Sequence, residues 1–260
     1  MTRICVIPAR MASTRFPGKP LAPLLGMPLI VHILHRARLC QDLDRVVVAT
    51  CDHEIADAVT AAGGEAVMTA DTHERCTDRT EEAIRNLGLT LADDDLVLML
   101  QGDEIMVSPK MLSDMIQRFE ETGADVINLI SRLYTPEDHT DPNTVKAVSA
   151  PDGRLLYMSR AAIPSPARAD NVPVFQQTGI IAFKAAFLAR YSALPPTPLE
   201  IIESCDMMRV IEHGLPIYGV PTDTETIGVD TEADRARAEQ RLAADPTTAR
   251  YLELPSEAAR

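Results

Sequence analysis

The sequence predicts an α/β fold in which helices cover both faces of a mostly parallel sheet. Short, continuous aliphatic and β-branched runs, typical of strands buried on both faces, alternate with segments of helical periodicity through the first part of the chain. The composition agrees, because 46% of the 260 residues are hydrophobic but only 4% are aromatic. This alternation implies right-handed crossovers, and hence a sheet whose strands run mostly in one direction.

The elements of the first hundred residues follow from local pattern. Strands are predicted where apolar residues run without interruption, at residues 4–8, 45–50, 65–68 and 95–100. Helices are predicted where apolar residues recur every three or four positions, at residues 28–39, 55–62 and 77–87. Gly63 and Gly64 end the second of these helices.

The later part of the chain has a looser pattern that is richer in strands. Further strands are predicted at residues 124–134, 144–149, 155–158 and 179–183. Further helices are predicted at residues 109–121, 185–191, 199–213 and 231–244. The polar, proline-bearing stretch 164–173 predicts a mobile loop. We expect residues 1–260 to form a single domain, with about 124–190 as a β-rich insertion on the same sheet.

Charge and cysteine content restrict the partners and the compartment. The chain has 38 acidic and 25 basic side chains, and its net charge of −13 repels nucleic acids and anionic membranes at long range. We therefore expect no nucleic-acid or membrane partner, and we find neither a leader-like segment nor a long apolar run. The five cysteines are odd in number and widely spaced, which favours reduced thiols and a soluble, cytoplasmic protein.

A basic segment follows the first predicted strand. Arg10, Arg15 and Lys19 lie within ten residues, with the small residues Ser13 and Gly18 between them. In an α/β sheet the loops after the strands' carboxyl ends bind ligands, and cations with free backbone amides suit a polyphosphate. A solvated basic loop remains the alternative. The P-loop motif GxxxxGK[ST] and the motif GxGxxG are both absent, which disfavours Walker-type NTPases and ordinary dinucleotide folds.

Two acidic segments are the other candidates for chemistry. Asp103 and Glu104 directly follow the strand at 95–100, where carboxylates are badly placed unless something binds them. Mg²⁺ commonly takes one or two carboxylates together with phosphate oxygens, although a plain turn is the alternative. Asp230 precedes the predicted terminal helix and is also suited to cap it. Spacing alone does not bring Asp103 and Asp230 together.

Taken together, these segments resemble the 3-deoxy-manno-octulosonate (KDO) cytidylyltransferases, which belong to the CMP-sugar synthetase and nucleotidyltransferase superfamily. The resemblance runs through most of the chain and rests on IPAR-x-x-STR-x-PGKPL, VVVAT-x-DHEIA, TDR, QGDE and GVDT. It implies a Rossmann-like α/β domain, the nucleotide-diphospho-sugar transferase fold, with a smaller β-rich dimerisation part. It also implies a homodimer that uses Mg²⁺ and CTP to form a CMP conjugate of an acid acceptor, releasing pyrophosphate.

The resemblance also implies residue roles. The nucleotide-binding residues are expected to be Arg10, Ser13, Arg15, Lys19, Thr77, Asp78, Arg79 and Gln101. Asp103 and Asp230 match magnesium-binding aspartates, and with Arg10 and Lys19 they form the expected catalytic set. The acceptor-side candidates are His73, Arg75, Gln101, Arg160, Gln177, Glu203 and Asp206, and Asn143, Lys146 and Ser159 also fit family patterns there. For His73, a plain surface position is the alternative.

The departures from the family pattern concentrate on the acceptor side. The family's SGT is Cys76-Thr77 after Arg75, and Ile105 replaces the proline after QGDE. Residues 176–181 are QQTGII where the family has a RHLGIY-like element, so its histidine is lost. Residues 199–209 correspond to the family's LE[HK]IE-x-LEQLR, but Ile201 replaces the basic residue and Asp206-Met207 replaces the Glu-Gln pair. Replacing the partners of sugar hydroxyls by apolar groups costs about 1–3 kcal/mol for each unpaired buried polar group. The clustering therefore favours a changed acceptor over drift.

The expected function is a Mg²⁺-dependent cytidylyltransferase acting on a small anionic acceptor. A phosphonate such as phosphonoformate fits by analogy, because it keeps the cations in use and needs no hydroxyl partners. An authentic CMP-KDO synthetase is the first alternative. A non-catalytic, nucleotide-binding regulatory relative is an alternative of another class, although both aspartates and both phosphate-binding cations argue against it. Use of another nucleotide is a third.

Overall fold

The structure is a computed structural model that describes residues 1–12, 16–165, 167 and 173–252. Its strands are β1 Arg3–Ala9, β2 Pro23–Leu24, β3 Met27–Pro28, β4 Arg45–Thr50, β5 Glu65–Met68, β6 Leu96–Leu100, β7 Val126–Leu133, β8 Lys146–Ser149, β9 Leu155–Ser159, β10 Val174–Lys184 and β11 Tyr218–Thr222. Its helices are α1 Leu29–Arg38, α2 His53–Ala61, α3 Cys76–Asn86, α4 Pro109–Thr122, α5 Pro136–Thr140, α6 Ala185–Ala193, α7 Pro198–Glu203, α8 Met207–Glu212, α9 Glu232–Ala244 and α10 Pro246–Leu252. A short 3-10 helix, Lys19–Leu21, precedes β2.

The central sheet has nine strands and is mostly parallel. Its main path runs β11-β7-β10-β6-β1-β4-β5, and β8 and β9 extend from β10 as an antiparallel arm. β1 pairs in parallel with β4 and with β6, and β5 and β11 join their neighbours in parallel as well. β10 runs antiparallel to both β6 and β7. The predicted fold class is confirmed, with one reversed strand inside the sheet.

Helices cover both faces of this sheet because alternate residues of each strand point to opposite sides. In β1, Cys5 and Ile7 join the core beneath α1, α2, α4 and α9. Their neighbours Ile4 and Val6 join the core beneath α3, α6 and α8. The five residues of β6 are all fully buried, which explains why that strand reads as an unbroken apolar run.

Two predicted elements of the later part are wrong in extent. The helix predicted at 199–213 is two helices, because Ser204 has a φ of 48° in the left-handed region and ends α7 before α8 begins. The strand predicted at 179–183 is the end of the eleven-residue β10. Its register with β7 shifts between Gln177 and Ile181, so the polar first half pairs as a separate stretch.

The region predicted as a β-rich insertion, about 124–190, contributes β7 to β10 and part of α6. Its role in dimerisation and acceptor binding stays a prediction, as does the division of the chain. Most of the predicted mobile loop, residues 166 and 168–172, lies outside the described residues. None of the helices in the described part of the chain is long and apolar enough to cross a bilayer.

Candidate active site

The candidate site lies at the carboxyl edge of the parallel strands. Because β1, β4 and β6 are parallel neighbours, Arg10, Asp52 and Gln101 follow them along one edge. The first and third loops are in direct contact there, since the Gly102 N–H donates to the Pro8 carbonyl at 3.2 Å. A Cβ at Gly102 would lie 2.9 Å from that same oxygen, so this approach requires glycine.

Lys19 brings the two predicted metal-binding aspartates together. Its Nζ lies 2.9 Å from Oδ2 of Asp103 and 3.1 Å from Oδ1 of Asp230. The Lys19 side chain is 12% exposed, whereas those of Asp103 and Asp230 are 26% and 30% exposed. The lysine therefore sits beneath two carboxylates that remain accessible from solvent.

The two aspartates determine the charge state of Lys19. Burial opposes the charge of Lys19, but Asp103 and Asp230 outweigh it and raise the pKa of the ammonium. Lys19 is therefore cationic at neutral pH.

Backbone pairing holds the two aspartates in register. The Val229 N–H donates to the Asp103 carbonyl at 3.3 Å, and Glu104 and Gly228 form an isolated antiparallel bridge. The segment before α9 is thereby attached to the loop after β6. The two segments lie far apart in the sequence, which is why residue spacing could not predict their contact.

The alternative role for Asp230 as a helix cap is wrong. The N-cap of α9 is Thr231, which forms a capping box with Asp234. Asp230 is the residue before that cap, and its carboxylate reaches Lys19 instead. Its side chain is therefore available to the site.

Glu104 has a different environment from its neighbour Asp103. Its side chain turns into the sheet, where Oε1 accepts the Gly179 N–H at 2.5 Å, and the residue is 7% exposed. Burial, followed by the nearby charge of Asp103, raises the pKa of Glu104 to about 7. The carboxylates of the QGDE segment thus separate into one facing Lys19 and one anchoring β10.

The donor set fits Mg²⁺, and Asp103 and Asp230 are the residues that would hold it. Carboxylate oxygens with solvent access suit this hard cation, which usually takes one or two protein carboxylates and keeps its other positions for water and phosphate. No group of three or more His, Cys, Asp or Glu with metal-binding geometry occurs among the described residues. Asp103 and Asp230 would thus supply two of the positions around such an ion.

The predicted phosphate-binding cations flank the loop after β1. Arg10 is exposed, and its Nη1 donates to the His73 carbonyl at 3.1 Å. Lys19 opens the 3-10 helix, whose N-cap Gly18 has a φ of 74°, a value that favours glycine. Ser13 and Arg15 lie outside the described residues, so their roles stay predictions.

The TDR segment forms the first turn of α3, and two of its side chains are buried. Thr77 donates through Oγ1 to Oδ2 of Asp206 at 3.1 Å. Arg79 donates through Nη1 to Thr69 Oγ1 at 2.5 Å and to the Ala70 carbonyl at 3.1 Å. Its buried Nη2 has no hydrogen-bond partner within the described ranges. The structure shows Arg79 holding α3 against the end of β5.

His73 and Asp78 lie on a cleft beside α3. It has a volume of about 360 Å³ and is lined by His73, Asp78, Glu81, Ser192, Leu194, Pro196 and Arg209. The His73 ring forms a short contact with the Glu82 carboxylate. His73 is thus partnered within the chain, which leaves both sequence-based interpretations of it open.

Gln101 joins the end of β6 to β10. Its N–H donates to the Gly179 carbonyl at 2.9 Å, which fixes the end of β6 against β10. Its side chain covers Gly179, because a Cβ built there would lie 2.7 Å from Cβ and Cδ of Gln101. Glycine at 179 therefore makes room for the glutamine.

Three positions that depart from the family pattern, Arg75, Gln177 and Asp206, have partners within the chain. Arg75 Nη1 lies 3.3 Å from Oδ1 of Asp206, and the Cys205 thiol donates to Oε1 of Gln177 at 3.6 Å. Burial raises the pKa of Asp206, against the opposing effects of Arg75 and of the Thr77 hydroxyl. The structure therefore brings these acceptor-side candidates together in pairs.

A hydrogen-bonded network holds the other acceptor-side candidates. The Glu203 carboxylate accepts from Ser159 Oγ and from the Arg160 N–H, both at 2.8 Å. Arg160 in turn donates through Nε to the Glu203 carbonyl at 2.8 Å and through Nη1 to the carbonyls of Pro142 and Asn143. These groups join the α7 end to β9.

Lys146 is fully buried beneath that network. Its Nζ donates to the carbonyls of Asp141, Thr144 and Arg160 at 2.7, 2.6 and 2.7 Å. Burial lowers the pKa of this lysine. Its contacts are with backbone oxygens, which is a structural use of the residue.

Sequence reasoning misses Asp52, which follows β4 at the ligand edge. Its Oδ2 accepts the Met11 N–H at 2.7 Å, so it contacts the backbone just after Arg10. The available signal was an aspartate two residues after a buried strand and directly before a helix.

Comparison with known proteins agrees with this geometry. The sequence profile of the family described as Cytidylyltransferase matches residues 4–221. The chain is 40% identical over 243 residues to the 3-deoxy-manno-octulosonate cytidylyltransferase of Bradyrhizobium diazoefficiens, covering 92% of this chain and 96% of that protein. It is also 40% identical over 242 residues to the 8-amino-3,8-dideoxy-manno-octulosonate cytidylyltransferase of Shewanella sp. strain ANA-3, covering 92% and 98%.

A solved structure shares the whole fold. The CMP:2-keto-3-deoxy-manno-octonic acid synthetase complexed with CTP superposes with a TM-score of 0.86 at 34% identity, covering 94% of this chain and 99% of that one. Sequence profile, relatives and fold thus agree over most of the chain. The protein is a nucleotidyltransferase and belongs to the KDO cytidylyltransferase family.

Proposed function

We propose that this protein is a Mg²⁺-dependent cytidylyltransferase that transfers CMP from CTP to a small anionic acid and releases pyrophosphate. The observation that carries the proposal is the contact of Lys19 with Asp103 and Asp230 at the carboxyl edge of the sheet. A partly exposed pair of carboxylates beside an ammonium suits a metal–triphosphate complex. The CTP in the related synthetase structure supports the choice of nucleotide.

The residues of this chain act mainly by binding and orientation. Arg10 and Lys19 flank the loop after β1 and attract the triphosphate of CTP. Mg²⁺ held by Asp103 and Asp230 would neutralise charge on the phosphate oxygens. An acceptor oxygen attacks the α-phosphorus and forms a new oxygen–phosphorus bond as the bond between the α-phosphorus and the bridging oxygen breaks, and that oxygen leaves on pyrophosphate. A phosphonate oxygen is already ionised, whereas a hydroxyl acceptor releases its proton to water. Positioning of the two substrates supplies most of the rate.

The acceptor is proposed to be a small anion, with a phosphonate such as phosphonoformate as the candidate. The named acceptors of the relatives differ from one another, because one relative acts on KDO and another on its 8-amino derivative. In this chain, Arg75 contacts Asp206, and both stand at positions that depart from the family pattern. Gln177, at another such position, accepts a hydrogen bond from Cys205. These contacts support a rebuilt acceptor side.

The acceptor assay also separates the alternatives. Pyrophosphate release is measured with CTP and Mg²⁺ against KDO, its 8-amino derivative, other 2-keto sugar acids and small phosphonates. We expect the highest kcat/KM with a small phosphonate. Efficient turnover of KDO would contradict the changed acceptor and identify a CMP-KDO synthetase. UTP and GTP in place of CTP test the nucleotide, and EDTA tests the metal.

A regulatory, non-catalytic relative is the candidate from another class. Calorimetry with CTP distinguishes it, since binding without turnover of any acid would favour that role. Retention of Asp103 and Asp230 together with the cations Arg10 and Lys19 argues for an enzyme. We also propose that the protein is cytoplasmic, which its five free thiols support. We further propose that it is a homodimer, which light scattering would test.

A further inference from the structure

We propose that Asp52 is a positioning residue for the triphosphate of the nucleotide. In this role its carboxylate fixes the backbone between Arg10 and Lys19 without touching the substrate itself. The inference rests on the proposed function, because it assigns a purpose to the geometry of the two phosphate-binding cations.

Asp52 occupies the N-cap position of α2, but its side chain does not cap the helix. It is the N-cap of α2, a position at which aspartate normally accepts a hydrogen bond from the first helical turn. Its side chain makes no such bond, and Oδ2 instead accepts the Met11 N–H at 2.7 Å. By contrast, Ser108 at the N-cap of α4 accepts the Met111 N–H as usual. The Asp52 carboxylate is committed to a loop of another strand.

Asp52 is itself held firmly at the end of β4. Its N–H donates to Oγ1 of Thr50 at 3.1 Å, and Thr50 is fully buried. Its carbonyl accepts the first hydrogen bond of α2, from the Ala56 N–H. The carboxylate is thus presented from a rigid junction of strand and helix, which is the kind of support a precise site needs.

Met11 transmits this constraint to both cations. Its N–H is bound by Asp52, and its carbonyl accepts the Gly18 N–H at 3.2 Å. Arg10 precedes Met11 and Lys19 follows Gly18, so the Met11–Gly18 hydrogen bond sets the separation of the two cationic residues. A fixed separation spares the cost of ordering them when the triphosphate binds.

Three substitutions at position 52 test the proposal. Asp52→Ser keeps a residue suited to cap α2 but is too short to hold Met11 in the same way, so folding is preserved while the anchor is lost. Asp52→Asn keeps an acceptor oxygen at the same reach. Ser108→Ala is the matched control, because it removes a genuine side-chain cap whose hydrogen bond is to Met111 in α4.

The main measurement is the Kd of CTP with Mg²⁺ by calorimetry, alongside the melting temperature and amide hydrogen exchange at Met11. For Asp52→Ser we expect CTP binding about tenfold weaker, the value of one charge-assisted hydrogen bond, with a melting temperature close to that of the wild type. The Met11 amide should exchange faster in this variant. Asp52→Asn should bind CTP within about threefold of the wild type. Ser108→Ala should melt earlier and bind CTP normally.

The outcomes separate the two proposals. Equal CTP affinity of the wild type and Asp52→Ser, or loss of affinity only in proportion to loss of stability, overturns the positioning role alone. Failure of the wild type to bind CTP overturns the proposed function and this role with it. Weaker binding by Asp52→Ser with rescue by Asp52→Asn supports both.

Discussion

The proposed nucleotide side and the proposed acceptor side of the site differ in how exposed their charged groups are. On the proposed nucleotide side, Lys19 is shared by Asp103 and Asp230, whose side chains are 26% and 30% exposed. On the acceptor side, Asp206 has Arg75 and Thr77, and the Glu203 carboxylate is fully engaged by neighbouring donors.

This difference indicates that the first set of groups is open to a ligand, whereas the second is already hydrogen-bonded within the protein. Charged groups that are exposed to water can contact an incoming cation or charged substrate without breaking a buried network. A network whose donors and acceptors are already paired costs free energy to rearrange, because each broken contact exposes an unpaired group. We therefore expect substitutions on the nucleotide side to change turnover, and substitutions in the acceptor-side network to change stability first.

The largest effect is expected for Asp103→Asn. Removing one of the two carboxylates that would hold Mg²⁺ should lower kcat by at least about 10²-fold, as loss of a transition-state electrostatic contact does. Pyrophosphate release measures the effect, and the melting temperature shows that the fold is intact. Asp93→Asn, an exposed change before β6 at the opposite edge, is the control. Unchanged turnover in Asp103→Asn would refute the proposed metal role.

Lys19→Met should separate metal binding from turnover. It leaves the Asp103 and Asp230 carboxylates without their shared ammonium, so the affinity of the free protein for Mg²⁺ should rise by about tenfold while turnover is lost. Mg²⁺ titration by calorimetry measures the first effect. Lys110→Met, at an exposed lysine of α4, is the control. An unchanged Mg²⁺ affinity would mean that these carboxylates do not bind the ion.

Glu203→Gln tests whether the acceptor-side network is structural. We expect a loss of about 1–3 kcal/mol in the free energy of unfolding at pH 7, because Ser159 and the Arg160 N–H lose a charged acceptor. Urea denaturation measures it. Glu137→Gln, at an exposed position in α5, is the control. Full stability with lost acceptor binding would instead place Glu203 in direct contact with the substrate.

The same carboxylate predicts a pH dependence. Burial opposes the ionised form of Glu203, but its hydrogen bonds to Arg160, Ser159 and Tyr157 prevail and lower its pKa below the ordinary 4.5. Its stabilisation is therefore complete above pH 4.5 and is lost as the pH falls through the lowered value. The free energy of unfolding should decline more steeply below pH 4.5 in the wild type than in Glu203→Gln. Parallel declines would show that Glu203 does not contribute.

The smallest effect is expected for the paired change Gln177→His with Cys205→Leu, which restores the family pattern. Because both partners change together, stability should fall by less than about 1.5 kcal/mol. The ratio of kcat/KM for KDO to that for the preferred acceptor should rise severalfold, whereas KM for CTP should not change. A shift in KM for CTP without a shift in acceptor preference would contradict the separation of the two sides.

Much of the nucleotide-side architecture could be predicted from sequence because it depends on local pattern. The strands β1, β4, β5 and β6 are short apolar runs, and their parallel order places Arg10 and Gln101 at one edge. β11 was missed because Gly219 and Pro221 interrupt its pattern, which an edge strand tolerates. The break between α7 and α8 depends on one left-handed residue, Ser204, whose type gives no warning.

The long-range contacts could not be predicted from local pattern. Nothing in the residues around Asp230 indicates that the segment before α9 pairs with the loop after β6, and only the family resemblance suggested that Asp103 and Asp230 act together. The Asp52–Met11 contact was hidden for a related reason, since an aspartate before a helix has an ordinary local explanation. Tertiary structure replaced that local role with another.

The contact between Lys19 and Asp230 spans 211 residues of the chain. During synthesis from the amino terminus, Lys19 and Asp103 emerge long before the segment that carries Asp230. The cluster can therefore close only after the chain has been made through to α9 and that helix has docked. A growing chain that already contains the central sheet still lacks a complete site, and activity begins as one of the last events of folding.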